Sequence, residues 1–285
     1  MSKTKPKPKK KVEEVGFTLK FDNSRILRAI VETLSSIIDE TEFLITPEGF
    51  KISAMDPSRI CLLQLTIAKK NFDEFECSNK CKIALNLDDF DKIMKRSSIN
   101  DTIEVSYQEA DQKIKIKMQR DNSTRARTFS LALLDIDTED VPIDNLLKTE
   151  YNSEWSMDPD FFIEAIKDAE IYSEILNIKT EAEQGITFSS SGTIGEMLYD
   201  LGIEDLISAD FNDISTGAYS ITFLKAILKI NSITEALKIS LKTDHPLKMR
   251  FHLLEGGLLN YFLAPRVSEE ELDEDDLIEE LGEEG

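Results

Sequence analysis

Seven cations in this chain fall into three short groups whose spacing fits phosphate binding. Arg25 and Arg28 are three residues apart, Lys92, Lys95 and Arg96 span about one turn, and Lys225 and Lys229 are four apart. Separations of three and four place each group on one helical face. A stripe of ammonium and guanidinium groups pairs with phosphate oxygens and carries no base information. A further helix offers Lys167, opposed one turn earlier by Glu164. Other chemistries find less support. Asp135, Asp137, Glu139 and Asp140 could form a magnesium cluster, but they lie along an expected solvated linker with nothing to fix octahedral geometry. Ser191, Gly192 and Gly195 lack the lysine and the spacing of a phosphate loop. His245 and His252, the two histidines, have no serine, cysteine or acid partner by motif. No catalytic residue, cofactor or metal is therefore expected, and the chain reads as a non-enzyme. Cys61, Cys77 and Cys81 are odd in number and lack a second cysteine or histidine pair, so idle thiols are expected.

The elements that position the cations recur four times. Each unit is an alternating run followed by a short amphipathic helix and more alternating runs. The copies start with GFTLKFDNSRILRAIV (16–31), KIALNLDDFDKIMKRSS (82–98), EYNSEWSMDPDFFIEAIK (150–167) and AYSITFLKAILKINS (218–232). Leu27, Ile30, Val31 and Leu34, like Phe161, Phe162, Ala165 and Ile166, recur at helical spacing. Each helix then buries one stripe and turns its cations away from its sheet. Runs such as TIEVSY (102–107), KIKIKM (113–118), LKISLK (237–242) and LKMRFHL (247–253) have period two, which predicts half-buried antiparallel strands. Copies one and two predict a domain over 14–133 and copies three and four another over 144–267, joined by an acidic linker, LLDIDTEDVPIDN, at 133–145.

With 285 residues, 41% of them hydrophobic, the chain is expected to bury two cores. No apolar run approaches the roughly 18 residues of a membrane span. The N-terminal arm, residues 1–13, is rich in lysine and proline with no hydrophobic stretch behind it, so an intracellular, non-membrane protein is expected. The net charge of −21 argues at first against a polyanionic partner. Its distribution changes that reading: residues 1–11 hold six lysines and no acid, whereas residues 268–285 hold eleven acids and no base. Removing both ends leaves 28 bases against 44 acids, so any DNA-facing surface must be local. Helices closing around a hole would concentrate their cations there, and they carry no aromatic platform for stacking single strands. The arm is too polar to fold alone, and the tail, despite Leu277, Ile278 and Leu281 at partial helical spacing, reads as solvated acid.

Four segments in order on this repeat resemble the sliding clamps of the proliferating cell nuclear antigen family. They are AMDPSRICLLQL (54–65), LLDIDTEDVPI (133–143), FSSSGTIGEM (188–197) and NYFLAPRV (260–267), and the resemblance covers about residues 15–267. It implies an α+β fold of two similar DNA-clamp domains, with antiparallel sheets outside and two helices inside each, forming a pseudo-sixfold trimeric ring. The connecting loop would occupy 134–143. The edge segment TRARTFSL (124–131) would pair with a neighbour's edge near 187–192. The family's DNA-facing positions match Arg28, Lys92, Lys95, Lys167 and Lys229, with Arg125 added by the resemblance; Glu164 stands where relatives often carry a base.

The resemblance also implies a pocket under the connecting loop for short partner peptides with hydrophobic and aromatic plugs. By position it would use Met55, Leu62, Val141, Pro246, Phe262, Ala264, Pro265 and Val267, with Phe262 replacing a tyrosine common in relatives. The implied function is a processivity factor that encircles duplex DNA and tethers DNA polymerase, clamp loader, flap nuclease and ligase. A subunit of a heterotrimeric or damage-checkpoint clamp is the alternative. The location would be nucleoid and cytoplasm in an archaeon and nucleus in a eukaryote. The acidic tail follows Val267 and is placed to tune partner access.

Overall fold

The computed structural model describes residues 16–120, 123–136, 141 and 143–266. The basic arm, Asp137, Glu139, Asp140, Val267 and the acidic tail lie outside the described residues. Within them, the repeating unit is a strand, a helix and three strands. The first copy is β1 (Gly16–Phe21), α1 (Arg25–Ser35), β2 (Glu40–Thr46), β3 (Gly49–Met55) and β4 (Cys61–Ala68). After a short strand, β5 (Glu74–Cys77), the second is β6 (Cys81–Asn86), α2 (Leu87–Met94), β7 (Asp101–Gln108), β8 (Lys113–Arg120) and β9 (Ala126–Ala132). A five-residue helix, α3 (Ile143–Leu147), ends the connection to the second half. That half repeats the order with β10 (Ser153–Met157), α4 (Pro159–Ala169), β11 (Ile175–Glu181), β12 (Gly185–Gly192) and β13 (Gly195–Leu201). Then come β14 (Ser208–Phe211), β15 (Ser215–Ser220), α5 (Ile221–Ile227), β16 (Thr234–Leu241), β17 (Leu247–Leu253) and β18 (Leu258–Leu263).

Local chemistry accounts for the helix starts. The Asn86 side chain accepts from the Asp89 N–H at 2.9 Å and caps α2, while Asp158 accepts from the Asp160 N–H at 3.0 Å and caps α4, with Pro159 at its first position. The equivalent hairpins β2–β3 and β11–β12 each turn at a glycine with positive φ. A Cβ on Gly49 would meet the Ile67 carbonyl at 2.2 Å, and one on Gly185 the Leu201 carbonyl at 2.1 Å, so the same turn is solved the same way twice.

Three antiparallel sheets result, in the orders β5-β1-β7-β8-β9, β14-β10-β16-β17-β18-β4-β3-β2-β6 and β13-β12-β11-β15. The nine-stranded sheet joins the halves through β18 and β4, paired from Leu258↔Thr66 to Leu263↔Cys61. Because of that seam the apolar residues of both halves form one contiguous core rather than the two expected. The repeat makes β9 the counterpart of β18 and β13 the counterpart of β4, yet among the described residues β9 and β13 each end a sheet with one edge open. Edge segment 187–192 is thereby corrected: it belongs to β12, held between β11 and β13, and the free edge is β13. Register carries the equivalence to residues. Phe129 faces Ile116 as Tyr261 faces Met249, and Met197 faces Ser190 as Leu63 faces Ala54.

The linker expected to be solvated is partly packed. Leu134 bridges to Ala84, and Ile143 is buried. Among the described residues no helix is long and apolar enough to cross a membrane. The three cysteines are free, and burial pushes the Cys61 thiol up to about 12 and the Cys81 thiol up to about 11. Since the thiolate is the reactive form, iodoacetamide at pH 7.5 is expected to modify only the half-exposed Cys77 in the folded chain, and all three in denaturant. Mass spectrometry of peptides from both samples reads this directly, and native labelling of Cys61 would contradict its burial.

Candidate nucleic-acid interface and partner pocket

The helices assemble into one layer. α2 packs on α1, α1 on α5 and on the 3-10 turn Leu228–Ile233 that follows it, and α5 on α4. Contacts across the two halves fasten the layer: the Arg25 guanidinium donates to the Ser232 carbonyl, and Ser36 Oγ to the Ala226 carbonyl at 3.4 Å. The amphipathic faces explain why. Ile26, Leu27, Ile30, Val31 and Leu34 of α1 are buried, as are Phe162, Ala165 and Ile166 of α4, which leaves the opposite faces to solvent.

Those outer faces carry the predicted cations, with three corrections of placement. Lys95 and Arg96 lie just beyond the end of α2, and Lys229 lies in the 3-10 turn rather than in α5, all three exposed. The structure also divides the cations into two kinds. Lys92 pairs with Asp89 at 2.9 Å, Lys95 with Asp91 at 2.5 Å and Lys225 with Glu170 at 2.5 Å. The hydrogen bonds they donate to Asp89 and Asp91 raise Lys92 and Lys95 above the ordinary lysine value. They remain cations, with much of their field cancelled locally. Arg28, Arg96, Arg125, Lys167 and Lys229 make no ion pair with a described residue; Arg28 reaches the Ser97 carbonyl at 3.5 Å. Arg125 stands just before β9, where Arg127 ties the strand to the Arg96 carbonyl at 3.0 Å and to Asp101 at 2.7 Å. Glu164, one turn from Lys167, accepts from the Tyr199 hydroxyl at 3.3 Å.

On the opposite face of the nine-stranded sheet, Leu62, Ile143 and Phe262 form a buried apolar cluster separate from the main core. Met55, Val141, Leu146 and Leu147 pack around it. Four of the predicted pocket residues, Met55, Leu62, Val141 and Phe262, therefore come together. Pro246 lies to one side, its carbonyl accepting from the Tyr151 hydroxyl at 3.1 Å. Ala264 donates its N–H to Ile60 at 2.9 Å, and Pro265 lines a separate cavity of about 270 Å³ with Ala218, Asn177, Lys179 and Arg266. Sequence reasoning missed Ile143, Leu146 and Leu147, although their i, i+3, i+4 spacing was a helical signal. It also missed Lys248, which follows Phe262 in the cross-strand row Lys248, Phe262, Leu62, Met55. The counterparts of Phe262 and Leu62 at the open edges are Ser130 and Glu196, so the cluster belongs to the seam within the chain alone.

A doubled strand-helix-strand unit, helices gathered on one face of continuous sheets and complementary open edges define a protein of the DNA-clamp class. Family models agree: the proliferating cell nuclear antigen N-terminal domain matches residues 16–141 and its C-terminal domain residues 145–266. The chain belongs to the proliferating cell nuclear antigen family. A DNA polymerase sliding clamp of Thermofilum pendens is 34% identical over 251 residues, covering 87% of this chain and 98% of that protein. One of Nitrosopumilus maritimus is 28% identical over 257 residues, covering 88% and 98%. The crystal structure of PCNA from Thermococcus kodakaraensis shares the fold, with a TM-score of 0.80 at 24% identity, over 88% of this chain and all of that one.

Proposed function

We propose that three copies close head to tail into a ring that encircles duplex DNA and tethers DNA polymerase as a processivity factor. The observation that carries this reading is the β18–β4 seam: the chain already contains, folded, the joint that β9 of one copy and β13 of the next would make. A heterologous joint of this kind generates a ring if its rotation closes. Six similar domains would then bring twelve helices to the hole. Arg28, Arg96, Arg125, Lys167 and Lys229 lead the phosphate contacts, with Arg25, Lys92, Lys95 and Lys225 as weaker contributors, and such contacts permit sliding. The apolar cluster of Leu62, Ile143 and Phe262 receives short peptides of polymerase, clamp loader, flap nuclease and ligase. The clamp acts by holding a partner at high effective concentration rather than by catalysis. Because one chain carries both complementary edges, a homotrimer is favoured over a heterotrimer or checkpoint subunit.

The test is topological. The purified chain should have a light-scattering mass near three times 32.4 kDa. After loading by a matching ATP-driven loader, it should stay on a nicked circular plasmid through gel filtration and run off once the plasmid is linearised. Equal retention on circular and linear DNA would overturn the encircling mode.

A further inference from the structure

The apolar cluster ends on a buried lysine that has no carboxylate of its own. Lys248 is only 7% exposed, with its Nζ 5.5 Å from the centroid of the Tyr151 ring and 5.9 Å from that of Phe262. Both distances fall in the cation–π range. Aromatic faces attract an ammonium but cannot accept its three N–H donors as oxygens do. Among the described residues no hydrogen bond or ion pair reaches this ammonium. The nearby acid, Glu154, is already held by Lys238 and by Ser240 Oγ at 2.9 Å. Burial pushes Glu154 up, but those hydrogen bonds and the Lys238 and Lys248 charges outweigh it and hold its carboxyl below the ordinary range. The remaining charged neighbours are cationic. Arg250 donates to Asn260 Oδ1 at 3.2 Å in the next cross-strand row, which also holds Lys238. Burial, then the Arg250 charge, lowers the Lys248 pKa, which marks an ammonium short of compensation.

We propose that Lys248 selects partner peptides carrying an Asp or Glu side chain beside their apolar plugs. This rests on the reading of the Leu62–Phe262 cluster as a peptide pocket. A peptide seated there covers the residual exposure of Lys248. A carboxylate arriving with it makes a charge-assisted hydrogen bond where water is excluded, and such bonds are about twice as strong as neutral ones. A neutral peptide instead strips the ammonium of its last water and returns nothing, so the site discriminates by attraction and by rejection together. Lys248 is thus a specificity residue beside the plug-binding floor that Leu62 and Phe262 provide.

The experiment uses the full chain and fluorescence anisotropy of synthetic 12-residue peptides. Each has one Leu and two Phe on a single helical turn, with Glu or Gln placed immediately before or immediately after the plugs. In at least one placement the Glu peptide should bind tenfold or more tightly than its Gln twin, a difference of about 1.4 kcal/mol. The preference should fall to within twofold in Lys248→Met, which keeps the stem packed on both rings, and persist in Lys248→Arg. Equal binding of Glu and Gln peptides, with Phe262→Ala weakening both, would overturn the charge selection while leaving the pocket in place. A preference surviving in Lys248→Met would overturn it as well. No binding by any peptide would remove the pocket and, with it, the selection.

Discussion

Phe129→Ala is expected to convert a species of three times 32.4 kDa into one of 32.4 kDa at micromolar concentration, without unfolding the chain. Within the chain the seam residues Tyr261 and Leu63 are both fully buried. Their counterparts on the open edges, Phe129 and Met197, are only half-buried because no described strand covers them. Pairing β9 with β13 would bury both and add a run of backbone hydrogen bonds, each contributing about 0.5–1.5 kcal/mol net. Removing the aromatic ring forfeits about 2 kcal/mol of apolar burial per joint. A subunit leaving a closed ring breaks two joints, so the loss is felt twice and amounts to roughly a thousandfold in the concentration needed for closure. The isolated fold loses less, since Phe129 is already partly in water. Light scattering across a dilution series checks this, with circular dichroism confirming the fold; a trimer persisting at one micromolar would remove Phe129 from the joint.

The second large effect should come from the cations that make no ion pair with a described residue. Arg96→Glu, Lys167→Glu and Lys229→Glu together are expected to lower polymerase processivity by at least tenfold while the ring still assembles. Lys92→Glu with Lys95→Glu should do much less. The reason is the local pairing: Asp89 and Asp91 hold Lys92 and Lys95, whereas the other three make no ion pair with a described residue, Glu164 accepting instead from the Tyr199 hydroxyl. Each phosphate contact contributes a slope of about −0.9 in the logarithmic dependence of DNA affinity on salt. Salt titrations of the loaded ring should therefore flatten for the unpaired set and hardly move for the paired one. Equal losses from both sets would show that the ion pairs open when DNA arrives.

Much of the fold was legible because its period is local. GFTLKF is β1, LKMRFHL is β17 residue for residue, and Asp158-Pro159 announces α4 by a cap and a proline. The edges were not legible, because whether SSSG is a rim or an interior strand depends on β13 folding back over it, which is a matter of sheet order. The α2 ion pairs were available in principle, since Asp89–Lys92 and Asp91–Lys95 follow the i, i+3 and i, i+4 rule. Lys248 was hidden for a different reason. Along β17 it alternates like any outward lysine, and the rings that its ammonium lies over, Tyr151 and Phe262, are distant in sequence. Ile143 was hidden by the acids that precede it, which made a packed helix look like solvated linker.

The β18–β4 seam has a mechanical consequence. Its two strands are tethered by one polypeptide, so closing it costs no translational or rotational freedom, whereas an equivalent joint between copies must overcome an association cost of several kcal/mol. A ring built from this chain would then alternate three welded corners with three latched ones. Dilution, torque or a loader's grip would spring a latch long before it strained a weld, and the ring would part as a gate with rigid crescent leaves.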